Sequence, residues 1–404
     1  MPLLKKRLRL KKDVSRPISE GLFPSECEIF IVAGEASGDF HGSNLVRALK
    51  RIQPESRFSG VGGPGMSKAG VNILVSSSDI AVVGLTEVIK KIPKILNALK
   101  TVKREIRERR PSLVVLIDFP DFNLNVAKYA KRSGIPVLYF ISPQVWAWRK
   151  GRVRTIAGRV DEMAVVLPFE SAFYEECGVP VSYVGHPLLD ICPPVENRTE
   201  AARSLGLGTE GPVIGMLPGS RTEEIKNMMP AMTGAARLLV ERYPSARFVL
   251  PLAATVEVEF IKKFIPNELS IEIQRENLYK YLNACDAAMV ASGTATLEAA
   301  LMETPMVIVY KVSGLSYRVG RLVIKSPYIG LANLVAGGGY FAELIQHELT
   351  PVRVYTEIVS MLEEPSVRSR VRKGLSRVRL RLGESGALDR TAALAASMIK
   401  KQDS

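Results

Sequence analysis

From Glu28 onward, short runs of β-branched and other apolar residues alternate with amphipathic stretches of helical period, and the whole alternation occurs twice. A strand that is apolar throughout has to be covered on both faces. A chain that alternates such strands with helices therefore builds a parallel sheet between two helical layers. The first series of predicted strands is 29–32, 58–61, 113–117, 137–140, 163–166 and 181–184; the second is 213–216, 248–250, 271–273, 287–290 and 306–310. Between them lies GHPLLDICPPVE, residues 185–196, whose prolines and lost periodicity mark a hinge. After Thr350 the sequence reads as helices to its end. With 404 residues the chain exceeds what one hydrophobic core sustains. The expected fold class is α/β: two doubly wound domains facing one another across a cleft, with a helical C-terminal region. The boundaries expected are a basic extension at 1–26, a first domain at 27–190, a second at 191–350 and closing helices at 351–404.

The net charge of +14 calls for an anionic partner: nucleic acid, a membrane surface or a phosphorylated substrate. The charge is clustered in Lys5 to Lys12, in Lys90 to Arg110 and in Arg368 to Arg381, where solvated helix faces are the plain alternative. Apolar runs are broken by Pro, Lys or Arg before the roughly 18 residues a membrane span needs. The opening MPLLKKRLRLKK lacks the apolar stretch of a secretory signal, so a cytoplasmic protein is expected. Cys27, Cys177, Cys192 and Cys285 are as scattered as His41, His186 and His347, which predicts neither disulfides nor a metal site.

In open α/β sheets, ligands meet the loops at the carboxyl ends of the strands, so those loops hold the candidate residues. The first strand runs into Gly34-Glu35-Ala36-Ser37-Gly38-Asp39, and the next into Gly60-Val61-Gly62-Gly63-Pro64-Gly65. Small residues there let a ligand approach the backbone, although the spacing is not the dinucleotide fingerprint. The third apolar run ends on Asp118-Phe119-Pro120-Asp121-Phe122-Asn123. Asp118 directly abuts the strand and is the candidate base, while Asp121 and Asn123 suit a helix cap equally well. Both tryptophans, Trp146 and Trp148, follow the fourth strand in SPQVWAWR beside Gln144. Aromatics at a strand's carboxyl end fit a substrate cleft, and fit core packing too.

In the second half, Gly219, Ser220 and Arg221 of LPGSR place a guanidinium beside backbone donors, which suits a diphosphate. Ser292, Gly293, Thr294 and Ala295 open a further helix whose positive end can hold phosphate, and Glu298 one turn on can accept from ribose hydroxyls. Two phosphate-friendly loops in one domain favour a nucleotide diphosphate. Residues 88–102 carry an apolar stripe, with Val88, Ile89, Ile92, Ile95, Leu96 and Leu99 flanked by lysines. Such a face either lies in a membrane interface or covers the sheet.

Taken together, GEASGD at 34–39, GVGGPGM at 60–66, IDFPDFN at 117–123, SPQVWAWR at 142–149, LPGSR at 217–221 and SGTATLE at 292–298 closely resemble the lipid-A-disaccharide synthase family, over roughly residues 28–351. The resemblance implies two Rossmann-like domains of GT-B type. It implies transfer of 2,3-diacylglucosamine from its UDP derivative to 2,3-diacylglucosamine 1-phosphate, giving a β(1→6) disaccharide 1-phosphate and UDP. It carries an essential aspartate onto Asp118 and an essential arginine onto Arg221. UDP contacts fall on the SGTATLE loop and on Asn333 of GLANLVAG. Neither a cofactor nor a metal is implied. Acylated substrates favour the cytoplasmic membrane face, which turns the amphipathic stripe toward the membrane reading, and self-association is compatible with the sequence. The family more often has a glycine and a basic residue where this chain has Gly337-Gly338-Gly339-Tyr340. The competing readings are a UDP-sugar 2-epimerase of similar fold and a basic nucleic-acid-binding protein. The second lacks any recognisable module, so nucleic acid is not expected.

Overall fold

The computed structural model describes residues 27–80, 85–143, 151–253, 256–312, 314, 317 and 326–400, with side chains from residue 92 on in the helix that opens at Leu85. Two all-parallel sheets organise the chain. The front sheet comprises β1 (Glu28–Ala33), β2 (Arg57–Gly62), β3 (Asn72–Ser76), β4 (Leu113–Ile117), β5 (Val137–Phe140), β6 (Glu162–Val165) and β7 (Val181–Tyr183), in the spatial order β3-β2-β1-β4-β5-β6-β7. The rear sheet comprises β8 (Val213–Leu217), β9 (Arg247–Pro251), β10 (Ile271–Gln274), β11 (Ala287–Ala291), β12 (Met306–Tyr310) and β13 (Glu343–Ile345), in the order β10-β9-β8-β11-β12-β13. Each sheet reverses direction beside its first strand, between β1 and β4 and between β8 and β11. A crevice opens at such a switch point.

The central strands are buried on both faces because nearly every residue in them is apolar: β4 is LVVLI and β11 is AAMVA, each buried throughout. The sequence reading missed β3 and β13. Both are sheet edges; β3 is nowhere fully buried and β13 is only three residues long, so neither carries the apolar run that marks an interior strand.

The last three helices do not form a unit of their own. Pro351–Glu363 packs on Thr222–Arg242, and Pro365–Leu382 on Leu331–Ala336, so both complete the rear lobe. Ala387–Lys400 crosses back and packs on Ala36–Ile52 of the front lobe. The chain thus passes between lobes twice, near 185–196 and near 383–386, and the two crossings are tied together. The Asp190 carboxylate accepts from the backbone N–H groups of Gly386 and Leu388, and Arg390 Nε donates to the Val184 carbonyl at 2.8 Å.

Three arginines of the third basic cluster serve this packing. Arg379 donates to the Leu301 carbonyl, and Arg377 and Arg381 donate to those of Ala336 and Val335. These carbonyls close the helices Ala295–Leu301 and Leu331–Ala336, where a cation meets the negative helix end.

Candidate active site

At the front switch point the chain turns sharply after β4. Asp118 and Phe119 both adopt left-handed backbone angles, φ 45° and 48°, and Ile141 just beyond β5 does so at 62°. For Phe119 and Ile141 this conformation is strained by about 1–3 kcal/mol each, whereas aspartate tolerates it better, and such strain gathers at functional sites. Neighbouring side chains hold it in place. The Asp118 carbonyl accepts from Tyr139 Oη at 2.5 Å and from Asn123 Nδ2 at 2.7 Å, and the Ile117 carbonyl accepts from the same Asn123 amide at 3.1 Å. Asn123 is completely buried. It was expected in the cleft or as a cap of the helix that follows; its amide instead lies behind the turn. Gly34 is required here because a Cβ would stand 2.2 Å from the Phe119 ring.

The Asp118 carboxyl is pushed up to about 6, first by burial and then by the negative charge of Glu35; the Phe119 N–H and the positive charge of Arg221 pull the other way. A carboxyl near neutrality can hold a proton during turnover and release it afterwards.

Glu35 and Arg221 confront each other from opposite lobes, with Arg221 Nη2 donating to Glu35 Oε2 at 2.6 Å and Arg221 Nη1 to Glu224 at 3.1 Å. Burial lowers the guanidinium's proton affinity, but Glu35 and Glu224 more than reverse this and leave it above the ordinary arginine range. Each partner is also the N-cap of the helix that follows the first strand of its lobe, Ala36–Ile52 and Thr222–Arg242, and neither makes a side-chain cap bond. Ser, Thr, Asp or Asn would cap better. A cation at a helix amino terminus opposes the dipole unless an anion sits beside it. At Arg221 the anions are the protein's own, Glu35 and Glu224. Gly219 adopts φ 104°, which lets Glu224 reach back to the Ser220 N–H at 3.3 Å.

The SGTATLE loop follows β11 and faces the same crevice. Ser292 Oγ donates to the Ile329 carbonyl at 3.1 Å, and Thr296 Oγ1 joins the Gly293 carbonyl to the Ala332 N–H. Thr294 and Ala295 are partly exposed where the helix Ala295–Leu301 begins. Burial raises the Glu298 carboxyl, which accepts from Tyr279 Oη at 3.2 Å.

Several expected residues turn out to be supports. Asp39 accepts from the N–H groups of Gly63, Gly65 and Met66 at 2.7–3.0 Å, so it joins the two glycine loops, including Gly62 and Gly63, to each other. Ser37 is exposed at the rim. Asn333 was expected at UDP, but all four of its hydrogen-bonding positions are taken: Nδ2 donates to the Phe341 carbonyl and Glu343, and Oδ1 accepts from the N–H groups of Tyr340 and Phe341. Its work is to fold the loop beneath the site. Gln144, Trp146 and Trp148 lie outside the described residues. The stem of their loop is anchored by Ser142 Oγ, which donates to the fully buried Glu170 at 2.7 Å.

The amphipathic stripe divides. Ile95 and Leu99 pack against the front core, whereas Ile92 and Leu96 are 43% and 60% exposed. The side chains of Val88 and Ile89 lie outside the described residues. Among the described residues no helix is long and apolar enough to cross a membrane.

A protein-family model described as Lipid-A-disaccharide synthetase matches residues 29–397. The chain belongs to the lipid-A-disaccharide synthase family. Relatives named lipid-A-disaccharide synthase bear this out: that of Syntrophus aciditrophicus is 47% identical over 93% of this chain and 98% of its own length, and that of Geobacter metallireducens is 48% identical with the same coverage. Members of this family are glycosyltransferases of lipid A biosynthesis, and so is this chain. Among solved structures, a UDP-GlcNAc 2-epimerase from Neisseria meningitidis superimposes with a TM-score of 0.59 at 10% identity, covering 93% of this chain and 99% of that one. MurG of Acinetobacter baumannii gives 0.55 at 15%, covering 93% and 100%. At such identities the likeness is one of fold, here the two-lobed GT-B architecture. The family match is what separates the transferase reading from the epimerase one.

Proposed function

We propose that this lipid-A-disaccharide synthase family member transfers 2,3-diacylglucosamine from its UDP derivative to 2,3-diacylglucosamine 1-phosphate, with Asp118 as base and Arg221 as diphosphate clamp. The observation that carries the assignment is the approach of Asp118, Glu35 and Arg221 across one cleft from different lobes. In the step proposed, the acceptor's 6-hydroxyl gives its proton to the Asp118 carboxylate as its oxygen bonds to the donor's anomeric carbon. The bond from that carbon to the diphosphate breaks, its electron pair leaves with UDP, and an α-linked donor yields a β product. Arg221 and the amino end of Thr222–Arg242 place positive charge where negative charge grows. Ser292 to Ala295 and Glu298 then line the nucleotide side. Purified protein given both acylated sugars should release UDP and disaccharide phosphate in equal amounts; absence of both products refutes the assignment.

The same reading puts the front lobe against an anionic membrane. Ile92 and Leu96 would enter the interface, with exposed Lys94 and Lys100 beside them. Serine at both apolar positions should lower retention on anionic vesicles, and unchanged retention would remove this part. Nucleic-acid binding is disfavoured by the engagement of Arg377, Arg379 and Arg381 with helix carbonyls.

A further inference from the structure

We propose that Glu35 is an internal stand-in for the donor's diphosphate: it pairs with Arg221 across the cleft, holds the lobes together, and is displaced when the sugar nucleotide binds. The inference rests on the reading of Arg221 as the diphosphate clamp and adds a residue that positions it.

Three features of the site support it. Glu35 is a carboxylate placed where an anionic group of the ligand would go, within 2.6 Å of the guanidinium and beside the amino end of a 21-residue helix. Its side chain and that of Arg221 remain 30% and 43% exposed, so the contact is accessible to a competing anion. An exposed pair of this kind stabilises only weakly, whereas a diphosphate offers the same guanidinium two charged groups. Glu35 also lacks the side-chain cap bond that its N-cap position would allow. Nothing in its own helix therefore explains its orientation, and the reach across the cleft does. Glu224 does not move between lobes; it keeps the guanidinium aimed at the cleft after Glu35 leaves.

The test is calorimetric titration of UDP and of inorganic pyrophosphate into the full-length protein, with steady-state kinetics alongside. Glu35→Gln should bind both probes about two- to fivefold tighter than the natural chain, the factor corresponding to loss of an exposed ion pair. The donor KM should fall by the same factor, a change that a merely structural role would not produce. Glu35→Asp, one methylene too short to reach Arg221, should move in the same direction, and in an Arg221→Gln background Glu35→Gln should have no effect on affinity. Unchanged or weaker binding in the Gln and Asp variants overturns the proposal, as does tightening that persists without Arg221. If the natural chain binds neither probe, the diphosphate-clamp reading itself falls and this inference with it; if it binds both and the variants do not differ, only the stand-in role is lost.

Discussion

The two lobes share one strand order and one switch point, yet they fill it with opposite chemistry. After its first strand the front lobe places Glu35, and the rear lobe places Arg221 at the matching helix N-cap. After the fourth strand of the front lobe comes Asp118 on a strained turn; after β11 come Ser292 to Ala295 around Gly293, which has φ 151°. The front lobe thus contributes carboxylates and the rear lobe contributes a guanidinium and backbone donors. A transferase between a hydroxyl and a sugar diphosphate needs both, one group to take a proton and one to receive charge. Topology decides where the loops go, and the loop residues decide what each side does.

The sharpest way to break this division is Asp118→Asn. Loss of a general base should lower kcat by about 10²–10⁴ while UDP affinity stays near normal. An equal loss of UDP affinity would mean that the front carboxylate belongs to the nucleotide site and that the lobes are not divided in this way. The same group should give the rate an acidic limb near pH 6, since the carboxylate must be unprotonated to accept the hydroxyl proton. Arg221→Gln is the complementary change. Removing one charge-stabilising donor should lower kcat/KM by about 10²–10³, with weakened UDP binding measured by calorimetry. If UDP binding survives intact, the diphosphate lies elsewhere in the rear lobe.

A smaller effect distinguishes the front lobe and its hinge by their response to acid. His41 and His186 are both buried and held neutral; burial lowers them to about 4 and about 3, with the His186 value lowered further by His41. Among the described residues His41 Nδ1 has no hydrogen-bond partner. Each folded value lies below the unfolded one near 6.5, so the unfolded chain takes up protons first. Stability is full above pH 6.5 and declines as pH falls below it, by about 2 kcal/mol per histidine at pH 5. The thermal midpoint measured from pH 7.5 to 5 should therefore drop, with a shallower slope for His41→Gln. Equal slopes would show that His41 is not buried in solution.

Much of the rear and front cores was legible because an interior parallel strand is apolar residue after residue, as in β1, β4, β8 and β11. The carboxyl-end rule then placed the loops bearing Asp118 and Arg221 beside the switch points without any contact information. What escaped depends on contacts between residues far apart in the chain. That Asn333 and Asn123 turn inward, and that Asp39 bridges two loops, follows from partners 5 to 27 residues away whose approach only the folded chain defines. The division of the stripe into core-facing Ile95 and Leu99 and exposed Ile92 and Leu96 depends on how the helix is rotated against the sheet. One local signal was available and unused: Glu35 and Arg221 stand at helix starts where Ser, Thr, Asp or Asn is favoured, and a poor cap at a strand's carboxyl end is a reason to suspect another role.

The third basic cluster provides the finest test of the comparison, because in the rear lobe positive charge also serves the scaffold. Arg379 donates to the Leu301 carbonyl at 3.2 Å, at the end of the helix whose start is the SGTATLE loop, whereas Arg372, on the same helix as Arg379, has no side-chain hydrogen bond or ion pair among the described residues. A cation on a helix carboxyl end contributes about 0.3–1 kcal/mol. Arg379→Ala should therefore lower the unfolding free energy measured by denaturant titration by that modest amount, and Arg372→Ala should lower it by less. The effect should also reach the site, since loosening the far end of a seven-residue helix frees its near end. UDP affinity should weaken slightly in Arg379→Ala and not in Arg372→Ala. If the two variants behave alike in both measurements, the cluster is only a solvated surface, and the rear lobe's positive charge matters at Arg221 alone.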